Sequence, residues 1–216
     1  TNHNKVLSIG NAVPFAIGGF SSRTVQTVVA EGEPVGFIRG YKAVLNPDNS
    51  LKEILPLQNL GSTLPTAYGN FSLSASYKNL SFMFSGDYQY GAYVHSFDRQ
   101  FRFSKGLKDN AIPEKALEGL DQGANWLNFT NFFVEKSDFL KIRNIGIAYD
   151  YKPKKYLKSV NLAFNVYNPF AFTASSVDPE AALAGARSQG AVAVGGLNYS
   201  SYSTPRQYVG TIRVSF

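Results

Sequence analysis

With 216 residues, 44% of them hydrophobic, and no cysteine, the chain is long enough for one large domain or two small ones and carries no internal disulfide. No stretch approaches the roughly 20 consecutive apolar residues of a membrane-spanning helix, which argues against helical spans in this sequence. The formal charge of +6 comes from scattered basic residues that often sit beside Asp or Glu, and no basic stripe with interleaved stacking aromatics is present, so nucleic acid is not an expected partner.

In chain order, a short strand is expected at Lys5 to Ile9, then two strands at TVQTVVAE (24–31) and VGFIRGYKA (35–43) around a Gly-Glu-Pro turn, with Arg39 interrupting the second pattern. A long connection is expected at about 44–69. The clearest segment is FSLSASYKNLSFMFSGDYQYGAYV (71–94). Phe71, Leu73, Ala75 and Tyr77 alternate with three serines, Lys78 and Asn79 make a two-residue turn, and Leu80, Phe82, Phe84, Gly86, Tyr88, Tyr90, Ala92 and Val94 continue the apolar face. This reads as one long hairpin whose second arm runs to Val94.

A second long connection is expected at about 95–138. Its end, NWLNFTNFF, concentrates Trp126, Phe129, Phe132 and Phe133, an aromatic group of the kind that binds sugar rings or partner surfaces, or else packs the loop itself. Next, Ile145, Ile147, Tyr149 and Tyr151 share one face while Leu140 and Ile142 precede them in the opposite phase. That one-residue slip near Arg143 and Asn144 predicts a β-bulge. The connector KPKKYLKS (152–159), with Lys152, Lys154, Lys155 and Lys158, suits a solvated turn near lipid headgroups and leads into a strand with Val160, Leu162, Phe164 and Val166 on one face. A third long connection spans about 169–206. The last strand sets Tyr208, Gly210, Ile212, Val214 and Phe216 on one face.

Short and long connections alternate in this reading. Short turns would lie at one rim and long loops at the other, as in outer-membrane barrels with short periplasmic turns and long external loops. The fold class expected is therefore all-β: an antiparallel, up-and-down transmembrane barrel segment of about seven to eight strands over residues 1–216. A soluble β-sandwich also uses half-buried alternating strands, but the polar faces here are rich in Ser, Asn and Gln rather than Lys and Glu, and tyrosines gather toward strand ends.

The segments FFVEKSDFLKIRNIGIAYDYKPK (132–154), VNLAFNVYNPFAFT (160–173), VDPEA (177–181) and GLNYSSYSTPRQYVGTIRVSF (196–216), with EGEPVGFIRGYK (31–42), resemble in order and spacing the C-terminal part of SusC/RagA-type TonB-dependent transporters, outer-membrane importers of Bacteroidetes. The resemblance implies a C-terminal portion of a larger barrel, in an outer-membrane importer of large nutrients such as oligosaccharides or peptides; counted through the up-and-down order, the last strand would end on the periplasmic side. The implied partners are outer-membrane lipid, a SusD-like surface lipoprotein, the remaining barrel strands and plug, the TonB complex acting on that plug, and the barrel-assembly machinery. Tyr208, Gly210, Ile212, Val214 and Phe216 would form the assembly signal.

No catalytic role is expected. His3 and His95 are the two histidines and neither has a metal-like partner in sequence, so no metal and no cofactor is expected. Asp178 and Glu180 of the DPE run read as turn chemistry. The alternatives are a non-transporting barrel subunit scaffolding an envelope complex, and a soluble carbohydrate-binding sandwich.

Overall fold

The computed structural model describes residues 1–19, 25–153, 157–178, 196–198 and 202–216. The described strands, in order, are β1 (Phe15–Gly19), β2 (Gln26–Val29), β3 (Phe37–Leu45), β4 (Leu51–Ser62), β5 (Ala67–Tyr77), β6 (Leu80–Tyr90), β7 (Tyr93–Ser96), β8 (Val134–Lys136), β9 (Phe139–Tyr151), β10 (Ser159–Thr173), β11 (Leu197–Asn198) and β12 (Gln207–Ser215). One helix of two turns, α1 (Phe97–Ser104), follows β7. Among the described residues the strands pair antiparallel except β11 with β7, which makes the fold all-β and mainly antiparallel as expected. No helix among the described residues is long and apolar enough to cross a membrane, which says nothing of crossing by strands.

The chain divides into two compact units. The first holds residues 1–67, 90–138 and 174–203, with the sheet β1-β2-β3-β4 and the small sheet β11-β7-β8. Its main core is aromatic. Phe103 of α1 meets Phe129 and Phe133 at ring-centroid distances of 5.8 and 5.6 Å, and Ala43, Ile112 and Ala116 close around them. Helix α1 forms because Phe97 and Phe101, one turn apart, stack at 6.2 Å, while Asp98 in its first turn and Arg102 in its last complement the helix dipole. The segment Trp126–Phe133 is fastened to β3 by Asn131. Its side chain accepts from the Ala43 N–H at 2.9 Å and donates to the Ala43 carbonyl at 3.3 Å, replacing a strand partner.

The second unit holds residues 68–89, 139–173 and 204–216 and consists of one five-stranded sheet ordered β12-β10-β9-β6-β5.

Several sequence expectations are corrected here. Residues 44–69 are not a long loop: they hold a turn at 46–50, all of β4 and the start of β5. Pro56 and the charges of LKEILPLQNLGS hid β4 from a search for alternation. Proline is tolerated because β4 is an edge strand of its sheet, where a missing N–H breaks no ladder, and the register shifts at Leu55 and Gln58 absorb a Leu57 with φ 55°. The connections 46–50, 63–66 and 78–79 are therefore short in succession, so the strict alternation of short and long fails there.

The second arm of the hairpin does not run to Val94. It ends at Tyr90, because Gly91 adopts φ 85° and a Cβ there would lie 2.2 Å from Thr66 Oγ1. The Gly91 N–H instead donates to Asp138 Oδ1 at 2.6 Å, and the chain restarts as β7 in another sheet. Residues 97–133 do form a long connection between β7 and β8, but an ordered one, since they build the aromatic core just described. Lys5 to Ile9 is not a strand, although Val6 exchanges backbone hydrogen bonds with Gly32 and Glu33. The third long connection starts only after Thr173; Lys154, Lys155 and Glu180 lie outside the described residues.

Candidate functional site: a sheet with two faces

The five-stranded sheet carries its chemistry in rows. Leu80, Tyr149, Leu162 and Ile212 are consecutive cross-strand partners, as are Phe82, Ile147, Phe164 and Gly210, and then Phe84, Ile145, Val166 and Tyr208. Because side chains alternate across a strand, these rows share one face. The intervening rows, such as Ser81–Ala148–Ala163–Thr211 and Ser85–Asn144–Tyr167–Gln207, bring mostly small and polar residues to the other.

The predicted bulge keeps the apolar face continuous. Ser85 pairs with Asn144 and Gly86 with Ile142, so Arg143 is the extra residue, and the phase slip returns Ile142 and Leu140 to the side of Ile145. On β10 the compensating irregularity lies between Tyr167 and Phe170, where Asn168 takes φ 51° and Pro169 is accommodated. Gly86 is required opposite the bulge, since a Cβ would come within 2.4 Å of the Phe71 ring and 2.6 Å of the Lys141 carbonyl.

The apolar face lies largely open. Ile147 and Phe164 are each 48% exposed and Ile212 74%, whereas in a sandwich this face would be the core. Contiguous apolar surface on this scale marks an interface with something apolar. From Tyr151 to Leu140 the face runs along β9 for about 36 Å at roughly 3.3 Å per residue, or about 26–30 Å once a tilt of about 35–45° is allowed for. That span matches the hydrocarbon core of a bilayer, about 30 Å.

The polar face is held by specific pairs. Arg143 grips Asp87 through two bonds, Nε to Oδ1 at 2.5 Å and a terminal nitrogen to Oδ2 at 2.8 Å. Asn161 Nδ2 donates to Asp150 at 2.7 Å, and Ser76 and Ser81 hydroxyls meet at 3.0 Å. A surface of this composition suits contact with water or a hydrated solute.

In the other unit, a buried polar group sits beside the aromatic core. His95 is fully buried, with Nε2 2.6 Å from Gln100 Oε1, while Gln100 Nε2 donates to Thr130 Oγ1 at 2.9 Å. Burial pushes the His95 pKa down to about 4. Arg99 binds Asp109 through two bonds and also pairs with Glu135, whose carboxylate in turn accepts from the Ser176 hydroxyl at 2.8 Å. Desolvation and the Arg99 bonds oppose each other on Asp109, and its pKa is lowered on balance.

The predicted contact cluster is only partly available for contact. Phe129 and Phe133 are fully buried and serve as core, so neither side chain is placed to meet a cargo; Trp126 and Phe132 are half-buried and pack against that core. Tyr208, Gly210, Ile212 and Val214 all fall on the apolar face of β12, an edge strand of the sheet, with Phe216 beyond its end. Sequence reading missed the Arg143–Asp87 and Arg99–Asp109–Glu135 groups. For the first, an arginine at a predicted bulge facing a polar strand was the available signal.

Among solved structures, the chain is similar in fold to chains from the RagAB peptide importer in its closed-closed state, with TM-score 0.65 and 18% identity over 97% of this chain and 25% of that one. The importer in its open-open state gives TM-score 0.63 and 18% identity over 98% and 25%. The RagAB peptide transporter gives 0.61 and 19% over 95% and 25%. The likeness thus spans nearly all of this chain and about a quarter of the length of each of those. No family model and no curated protein matches the sequence.

Proposed function

We propose that this chain forms part of the wall of an outer-membrane β-barrel that imports large nutrients, peptides or oligosaccharides, with TonB-derived energy acting on a plug and a SusD-like lipoprotein at the cell surface. In this reading the apolar face of the five-stranded sheet meets lipid and the polar face meets the hydrated lumen. The turn at 78–79 and the strand ends at Tyr151 and Ser159 lie on the periplasmic side.

One observation carries the reading: a sheet with one face apolar and largely exposed over a bilayer's thickness while its other face is mostly small and polar. Likeness in fold to chains of a peptide importer supports it and favours peptides as cargo.

The test is uptake. A strain lacking the gene that encodes this sequence, given labelled oligopeptides and labelled oligosaccharides separately, is expected to lose uptake of one class and regain it on complementation. The protein is expected in the outer-membrane fraction and to resist alkaline extraction. Unchanged uptake of both classes by a strain whose protein is membrane-embedded would replace the importer with a scaffold; release into water without detergent would end the barrel reading altogether.

A further inference from the structure

The apolar face is not evenly filled. Where the row Phe82–Ile147–Phe164 reaches β12 it meets Gly210, which has no side chain, and a Cβ placed there would meet nothing within 4 Å. The result is an open groove of about 480 Å³ lined by Leu80, Ile147, Tyr149, Leu162, Phe164 and Ile212 around the glycine. Its lining is overwhelmingly apolar. No backbone demand explains the glycine, since Gly210 does not adopt a positive φ.

The same sheet ends in cations. Lys152 and Lys158 are exposed at the two ends of the β9–β10 connector, and the Lys158 N–H donates to the Ser215 carbonyl at 2.8 Å, which holds that lysine beside the end of β12. Lys78 stands in the neighbouring β5–β6 turn, its ammonium 5.2 Å from the centre of the Tyr77 ring. Asp150, the carboxylate nearest along β9, belongs to the polar-face row and is bonded to Asn161. From Ser215 to Gly210 the strand covers about 17 Å at roughly 3.4 Å per residue. At a tilt of about 40° this places the glycine about 13 Å below the lysines, within the roughly 15 Å of hydrocarbon in one leaflet.

We propose that this groove and these lysines form a site for one anionic phospholipid, an acyl chain lying along Gly210 and the phosphate held by Lys152 and Lys158. The site rests on the barrel-wall reading above, because an acyl chain enters the groove only if that face is in lipid. An unfilled trough in a lipid-facing wall would forfeit dispersion contacts along its lining, and a chain lying in it restores them. The lysines then select the headgroup. Each is expected to strengthen binding of an anionic lipid about five-fold over a zwitterionic one.

The experiment uses the native polypeptide that carries this sequence, extracted from outer membranes in detergent, delipidated and titrated with phosphatidylglycerol or phosphatidylcholine under native mass spectrometry. The expected result is one saturable phosphatidylglycerol, bound some 25-fold more tightly than phosphatidylcholine. Gly210→Leu, which fills the groove, abolishes the saturable lipid; Gly210→Ser, which leaves it open, retains it. Lys152→Ser with Lys158→Ser erases the headgroup preference and leaves weak binding of both lipids. Equal binding of the two lipids by the wild type, or undiminished binding by Gly210→Leu, overturns the site. So does a dimer that Gly210→Leu dissolves, because the groove then belongs to a second copy. Alkaline extraction of the wild type from membranes tells the failures apart: a protein that is embedded but binds no saturable lipid loses only this site, whereas one that washes off loses the barrel wall too.

Discussion

The two units use phenylalanine in opposite ways. In the first, Phe103, Phe129 and Phe133 are at most 1% exposed and hold a small core together; in the second, Phe164 and Phe172 are 48% and 62% exposed on an open sheet. The residue is the same, so the difference lies in what surrounds it. An aromatic ring stabilises a fold in water only when protein covers it, at roughly 25 cal/mol per Å² removed from water. An open aromatic face therefore implies an apolar environment supplied from outside.

The comparison is broken most directly by truncating one phenylalanine in each unit. Phe133→Ala is expected to destabilise the protein by about 3–5 kcal/mol in chemical denaturation, because it empties a fully enclosed site. Phe164→Ala in detergent should shift the midpoint far less, since detergent or lipid flows into the space. Equal shifts would mean that the sheet face is covered by protein.

Charge on the open face gives the next largest effect. Ile147→Arg, near the middle of the apolar span, is expected to cost about 2–4 kcal/mol of folding into phosphatidylcholine vesicles, and Tyr151→Arg, at the end of the span, only about 0–1 kcal/mol. A flat profile with depth would contradict a membrane-facing wall.

The first unit has its own signature in pH. Burial holds His95 near 4 against 6.5 for the free side chain, so the unfolded chain takes up the proton first as the pH falls. The stability contributed by neutral His95 is complete above about pH 6.5 and is lost as the pH drops toward about 4, a change of up to about 3 kcal/mol. His95→Gln should flatten the dependence of the melting temperature on pH in that window. If the slope survives the substitution, another group is responsible.

The smallest effect tests the bulge. Arg143→Lys keeps the charge but cannot reproduce the two-bond grip on Asp87, and a loss of about 1 kcal/mol is expected in the same vesicle assay. Asp87→Asn combined with Arg143→Lys should then cost little more than either change alone.

Much of the second unit was legible in the sequence. Period-two alternation located β6, β9, β10 and β12, and the single phase slip placed the bulge at Arg143, because a strand's faces are set by residue parity and an inserted residue reverses that parity. The open apolar face could also be named residue by residue, from Leu80 to Ile212. The first unit was much less legible. The run NWLNFTNFF has no strand period, and composition could not say whether its aromatics face a ligand or one another.

What the sequence alone determined, then, is the set of alternating strands, the absence of a helical span and the identity of the sheet's two faces, all of them properties carried by neighbours within a few positions. Tertiary structure decided the rest. Phe129 and Phe133 became core because Phe103 arrives from α1, and Asn131 secures the segment to Ala43, a partner separated by 88 positions along the chain. Strand β4 survives Pro56 because its sheet leaves it at an edge, and β6 stops at Tyr90 because Gly91 turns at φ 85° with its N–H held by Asp138, 47 positions away. In each case what decides, a remote partner or an edge without one, is set by how distant parts of the chain are arranged, and only the folded chain arranges them.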